Sequence, residues 1–257
     1  MFPLLLIGLT VSTCISPAAV VVSLSGVSAV NTTLNAPTEN VFASTENTAV
    51  NSALGWRWDT SITPVSERKV AQSFFSGSSA VTFDKITFKI GGAAIPSQLK
   101  DNASAGFTFS IYEVASASTL PSSGSLVSSQ TGSFANFASS SATSSGNITG
   151  TAFNYITFDF ADVQLAAGKY YAVVLAFNQS GSGYNVALGN NGNNSYYTGG
   201  TGAVAENGGS WAGTNDFYFY AQAVPEPGTA GAVLGAGLLF CVARFVRRAK
   251  AAGRGIE

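Results

Sequence analysis

Val81-Thr82-Phe83-Asp84-Lys85-Ile86-Thr87-Phe88-Lys89-Ile90 carries the pattern that decides the fold class. Apolar side chains alternate with Thr and Lys on either side of the Asp84-Lys85 pair. Successive strand residues point to opposite faces, whereas a helix repeats every 3.6 residues, so this stretch reads as a half-buried strand. Working outward, Phe107, Phe109 and Ile111 alternate with Thr108, Ser110 and Tyr112. Tyr155 to Phe160 repeats the pattern, and Phe217 to Ala221 ends the series. Tyr170 to Phe177 (YYAVVLAF) is almost continuously apolar and predicts a central strand buried on both faces. Turn signals separate these runs: Gly91-Gly92, Pro121 to Gly124, Ala167-Gly168 and Gly189 to Gly192. From Val30 to Ala223 no stretch combines helix caps with a 3.6-residue stripe. The expectation is an all-β fold: a single antiparallel β-sandwich, jelly-roll-like, over residues 30–223. Ser128 to Gly150 reads as a long loop or weak edge strands, and Asn31 to Ser52 as a polar lead-in.

The chain has 257 residues, with 12 basic and 13 acidic side chains, 18 Phe, 9 Tyr, 2 Cys and no His. The aromatic content supplies a core. Absence of His removes Ser-His-Asp triads, Cys-His dyads and His-ligated zinc. Charged residues are 10% of the chain, and no basic folded region is present to bind nucleic acid. Cys14 and Cys241 both lie outside residues 30–223, so no disulfide or thiolate metal site is available there.

The two ends read as processing signals. Phe2 to Val11 is uncharged, too short to span a bilayer, and fits the apolar region of a signal peptide. The small-residue rule allows cleavage after Ala18 or Ala19, or after Ala29; the boundary is placed at Ala29, giving a signal peptide over 1–29. Val11-Ser12-Thr13-Cys14 is a poor lipoprotein box because of the bulky Thr13. At the other end Val224-Pro225-Glu226-Pro227 interrupts the chain, and Thr229 to Ala243 carries no charge. Arg244, Arg247, Arg248, Lys250 and Arg254 follow. This predicts a single C-terminal transmembrane helix over about 229–246, within a 224–257 tail, with its basic end cytoplasmic and residues before Val224 outside.

That order of features resembles the PEP-CTERM sorting signal, in which Pro-Glu-Pro precedes one hydrophobic helix and a short Arg-rich end. Val224, Pro225, Glu226 and Pro227 match the motif, and Arg244, Arg247 and Arg248 match the basic end. The resemblance implies recognition by an exosortase of Gram-negative-type bacteria and later removal of the helix. Such a protein enters the Sec translocation machinery, passes through an inner-membrane-inserted precursor, and ends at the cell envelope or outside the cell. Gly55-Trp56-Arg57-Trp58, Val70 to Phe74, Val81 to Ile86, Phe107 to Tyr112 and Leu165 to Tyr171 are similar, in their order, to the choice-anchor ectodomains of type R. That resemblance implies no enzymatic activity.

Few residues offer chemistry. Asp159 and Asp162 are the closest carboxylate pair near a strand end; a glycosidase needs its two about 5–9 Å apart across a cleft. S-x-x-K spacing occurs twice, at Ser66–Lys69 and Ser97–Lys100, but without the S-D-N and K-T-G companions of that chemistry, and no calcium-loop pattern is present. The expectation is therefore no catalytic residue, no metal and no cofactor. Trp56, Trp58, Trp211 and the Tyr196-Tyr197 pair are the aromatic candidates for stacking on sugar rings. Trp56 and Trp58 share a strand face that is more often core than platform, which leaves Trp211, Tyr196 and Tyr197, in the Gly/Asn-rich region, as better placed. Two readings follow: an envelope or matrix interaction protein, or a module binding extracellular polysaccharide.

Overall fold

The computed structural model describes residues 19–29, 36–45, 52–90, 99, 102–135, 152–190 and 197–224. The chain divides into two compact units, Met1–Ala223 and Val224–Glu257. Within the first, the strands are β1 (Val21–Ala29), β2 (Val41–Thr45), β3 (Ser52–Asp59), β4 (Ser66–Phe75), β5 (Val81–Ile90), β6 (Gly106–Val114), β7 (Ser125–Ser133), β8 (Ala152–Leu165), β9 (Tyr170–Phe177), β10 (Asn185–Asn190), β11 (Gly202–Glu206), β12 (Ala212–Thr214) and β13 (Phe219–Ala223). One short 3-10 turn, Pro121–Ser123, precedes β7.

All thirteen strands join one antiparallel sheet. Its main path runs β1-β8-β5-β10-β3-β4-β9-β6-β7. A bridge from Val20 to Gly132 then returns from β7 to the start of β1, where Val20 N donates to Thr131 O at 2.9 Å. The sheet is therefore a nearly closed barrel. β13 lies against β5 on one side and β2 on the other, while β11 and β12 extend from β4.

This corrects the expected jelly-roll sandwich of two separate sheets. The link is β10, which pairs with β3 over Asn185–Asn190 and touches β5 at Leu188 opposite Ile90. Gly189 and Asn190, expected in a turn, belong to that strand. Small residues there let another chain segment approach: Tyr218 N donates to Gly189 O at 2.9 Å, and Lys89 N to Tyr218 O at 3.0 Å. The expected C-terminal membrane helix is corrected as well. No helix among the described residues is long and apolar enough to cross a membrane, and 229–246 lie outside them.

Closure at the β7–β8 side depends on a side chain. β8 bulges against β5, so that Phe83 faces Val163 but Lys85 faces Asp159. The backbone of Ala161 in this bulge pairs with the amide of Gln130 from β7. Ala161 N donates to Gln130 Oε1 at 2.8 Å, and Gln130 Nε2 donates to Ala161 O at 3.0 Å. The glutamine thus acts as one peptide unit of a missing strand, satisfying a donor and an acceptor that burial would leave costly.

Inward residues of opposite walls meet in an aromatic core. Phe109 of β6 stacks on Phe160 of β8 at 4.4 Å, and Phe74 of β4 meets Phe83 of β5 edge-on at 5.3 Å. β9, between β4 and β6, is buried from Tyr171 through Leu175, as its continuous apolar run requires. β2 falls in the segment expected to be a polar lead-in, and β7 overlaps the start of the Ser-rich stretch read as a long loop or weak edge strands. β2 is recruited by β13, and β7 is the strand that carries Gln130.

Candidate functional site

The residues proposed as ligand contacts separate into different environments. Trp56 on β3 is fully buried. Its ring stacks on Phe177 at 4.2 Å and 16°, and meets Phe107 at 5.5 Å in an edge-on contact. Its Nε1 has no hydrogen-bond partner among the described residues, so apolar packing alone holds the ring. Trp56 is a core residue, not a platform. Trp58 is half-buried and packs against the same core.

Tyr197 is a strut. Its hydroxyl accepts a hydrogen bond from Phe75 N at 3.3 Å, its own N donates to Asp216 Oδ2 at 3.1 Å, and its ring sits edge-on to Phe219 at 5.3 Å. Burial pushes its phenol above the usual tyrosine range, opposed in part by the Phe75 bond. Asp216 is itself fully buried. It accepts from Gly202 N at 3.1 Å and from Gln72 Nε2 at 3.2 Å, so this node ties β4 to the start of β11. Tyr196 lies outside the described residues.

Trp211 stands elsewhere. It follows the β11–β12 turn, where Asn207 (φ 51°) and Gly208 (φ 72°) adopt the left-handed backbone. The hairpin is pinned to β4: Asn207 Oδ1 accepts from Glu67 N at 2.8 Å, and Arg68 Nε donates to Glu206 Oε1 at 2.7 Å. On the outer face of β11, β4, β9 and β6, the register places Ala203 beside Ala71, Ala71 beside Val174, and Val174 beside Ser110. Ala71, Val174 and Ala203 form a small outer cluster, and half-buried Trp211, Tyr112 and Leu120 pack on it. The segment after β6 crosses the same face, where Ser73 Oγ donates to Ala117 O at 3.0 Å. The result is a small buried apolar cluster on the outer face, covered in part by two aromatic rings and Leu120. Tyr112 was not singled out from the sequence, although its place in the alternation Thr108, Ser110, Tyr112 already put it on the outer face.

The two carboxylates, Asp159 and Asp162, have different surroundings. Asp159 is bridged to Lys85 at 3.4 Å, and Lys85 contacts Asp84 at 2.6 Å. The hydrogen bond from Lys85 to Asp84 raises the lysine's pKa, with burial opposing it. Asp162 is exposed in the β8 bulge. Asp59 is a loop anchor: its Oδ1 accepts from Ser61 N, Ser61 Oγ and Gly183 N at 2.8, 2.7 and 2.8 Å. Burial raises its pKa, but the Ser61 and Gly183 bonds outweigh this and hold the carboxyl below the usual range. Among the described residues no group of three or more acidic or Cys side chains is arranged to hold a metal.

Of the sorting motif only Val224 is described; Pro225, Glu226, Pro227, Arg244, Arg247 and Arg248 lie outside the described residues. β13 ends at Ala223, whose N donates to Asn40 O at 2.9 Å. Val224 follows at once.

No family model matches the chain, and no curated protein matches it. Among solved structures it is similar to the cysteine protease and lectin-like domains of Cwp84, a surface layer associated protein of Clostridium difficile, at 11% identity and a TM-score of 0.31. The likeness covers 68% of this chain and 37% of that one. At this level it assigns neither a fold family nor an activity.

Proposed function

We propose that the chain is an exported, non-catalytic interaction protein of the bacterial envelope or extracellular matrix, delivered through the Sec machinery and sorted by an exosortase. The observation that supports this most directly is the junction at Ala223. The last strand of the barrel ends there, and the Val224–Pro227 motif begins at the next residue. The proline-bounded Glu226 favours extended backbone, the form a processing enzyme grips. The absence of His from the sequence removes His-dependent triads and dyads, which fits a non-catalytic role. Deleting residues 224–257 is expected to release the protein into the medium or misplace it, as read by cell fractionation. Unchanged placement of the truncated protein would sink the sorting reading.

A second reading is favoured by the Trp211 seat: a module that binds extracellular polysaccharide. Aromatic rings present apolar faces to sugar rings, and Trp211 and Tyr112 are half-buried rings on the outer face of the sheet. A glycan array separates the readings. Retained polysaccharide that disappears in Trp211→Ala supports the module; no binding by the intact protein removes it. Trp56→Ala serves as the control for loss of fold.

A further inference from the structure

We infer that the export signal is cut between Ala18 and Ala19, and that residues 20–29 are retained as a wall of the mature barrel. This rests on the export reading and chooses Ala18 over Ala19 and Ala29 among the three bonds the small-residue rule allows. Val21–Ala29 is β1, paired with β8 from Val21 opposite Asp159 to Ala29 opposite Ala152. Val20 and Val22 are 3% and 5% exposed and belong to the main core, and Leu24 packs against it. Val20 also makes the bridge that returns the sheet from β7 to β1.

Cleavage after Ala29 would discard all of this. β8 would become an open edge along the stretch that β1 covers, with unpaired N–H and C=O groups exposed to strand addition by other chains. The Val20–Thr131 hydrogen bond would be lost, and the barrel would open at its narrowest closure. Cleavage between Ala18 and Ala19 costs none of these contacts. Ala19 is exposed and sits outside the first bridge, so its new ammonium stays in water rather than being buried without a partner. Val20 N remains an amide and keeps its bond to Thr131 O.

The sequence offers the right residues at that bond. Ser16 and Ala18 are small and occupy the two positions a signal peptidase reads, with Pro17 between them. A cut one residue later would put Pro17 in the first of those positions. The site also lies closer than Ala29 to the apolar run Phe2–Val11. The reaction is hydrolysis: the Ala18–Ala19 C–N bond breaks, and water supplies OH to the Ala18 carbonyl and H to the Ala19 nitrogen.

The test uses the full-length precursor, expressed in a Gram-negative host and read by N-terminal sequencing and intact mass. The exported protein is expected to begin Ala19-Val20-Val21-Val22. Ala18→Leu is expected to abolish the processed form, whereas Ala29→Leu leaves the processed N-terminus unchanged. Both variants are scored by cleavage, so a folding defect in either does not obscure the result. An exported protein that begins at Val30, or processing blocked by Ala29→Leu and not by Ala18→Leu, overturns the inference while leaving export intact. An intact Met1 start with all protein in the cytosol overturns the export reading itself.

Discussion

Trp56 and Trp211 are the same residue type in opposite circumstances. Trp56 is enclosed by Phe107, Phe158 and Phe177 inside the barrel. Trp211 lies half-buried on an outer seat of Ala71, Val174 and Ala203. The interior site is built from large rings contributed by several strands, so removing one ring leaves a hole that the other walls cannot fill. The outer seat is built from small side chains on adjacent strands, and the ring above it can leave without opening the sheet. A tryptophan's contribution is therefore set by what stands on its far side: another wall in one case, solvent in the other.

The largest effect should come from Trp56→Ala, at about 3–5 kcal/mol of stability, the usual cost of truncating a core aromatic. Urea unfolding measures it. Trp56→Phe should cost much less, because the indole N–H it removes has no acceptor among the described residues. A Trp56→Ala loss below about 1 kcal/mol would mean that the interior is not closed around the ring.

Next comes Gln130→Leu. It keeps the apolar bulk but strands the N–H and C=O of Ala161, and an unsatisfied buried polar group costs about 1–3 kcal/mol. The expected result is a lower melting temperature with the strand signal in circular dichroism retained. Wild-type melting in this variant would show that water replaces the amide and that closure does not depend on it.

Trp211→Ala should cost less than about 1 kcal/mol, since surface changes away from the core seldom exceed this. If it destabilised the fold as much as Trp56→Ala, the contrast between the two sites would fail and the outer seat would count as core.

The smallest effect is pH-dependent. Asp59 has its folded pKa held below the unfolded value, so the folded state prefers the ionised form. That preference contributes stability above the unfolded carboxylate pKa and is lost as pH falls through the folded pKa. Asp59→Asn should be less stable than wild type at neutral pH, and the difference should shrink in acid. A difference that is constant from neutral pH to acid would exclude linkage through this carboxyl.

Alternation and a continuous apolar run were both legible in the sequence: Val81–Ile90 becomes β5 and Tyr170–Phe177 becomes β9. Hydrophobic period reports which residues face a core, but not which strand lies alongside, so β10 linking β3 and β5 left no mark in it. Nor did Gln130, a polar residue in a Ser-rich stretch whose partner is the backbone of Ala161. β1 was hidden for another reason. Val20 to Ala29 carries an apolar–polar alternation over Val22-Ser23-Leu24-Ser25, but its small residues also satisfy a cleavage rule. At the candidate site, Trp211 was singled out from its Gly/Asn-rich surroundings. Its neighbours were not, because Ala71, Val174 and Ala203 are distant in sequence and meet only through strand register.

The placement of β1 and β13 also governs when the chain can fold. Val21 pairs with Asp159, and Phe219 pairs with Phe88, so the barrel joins residues far apart in the sequence. Such distant pairings make folding slow, on the order of milliseconds to seconds. A chain that emerges N-terminus first presents β1 long before β8 exists, and β5 long before β13. Until residue 223 is free, the sheet lacks a strand between β5 and β2. The topology itself delays closure, and the last strand to appear completes the sheet.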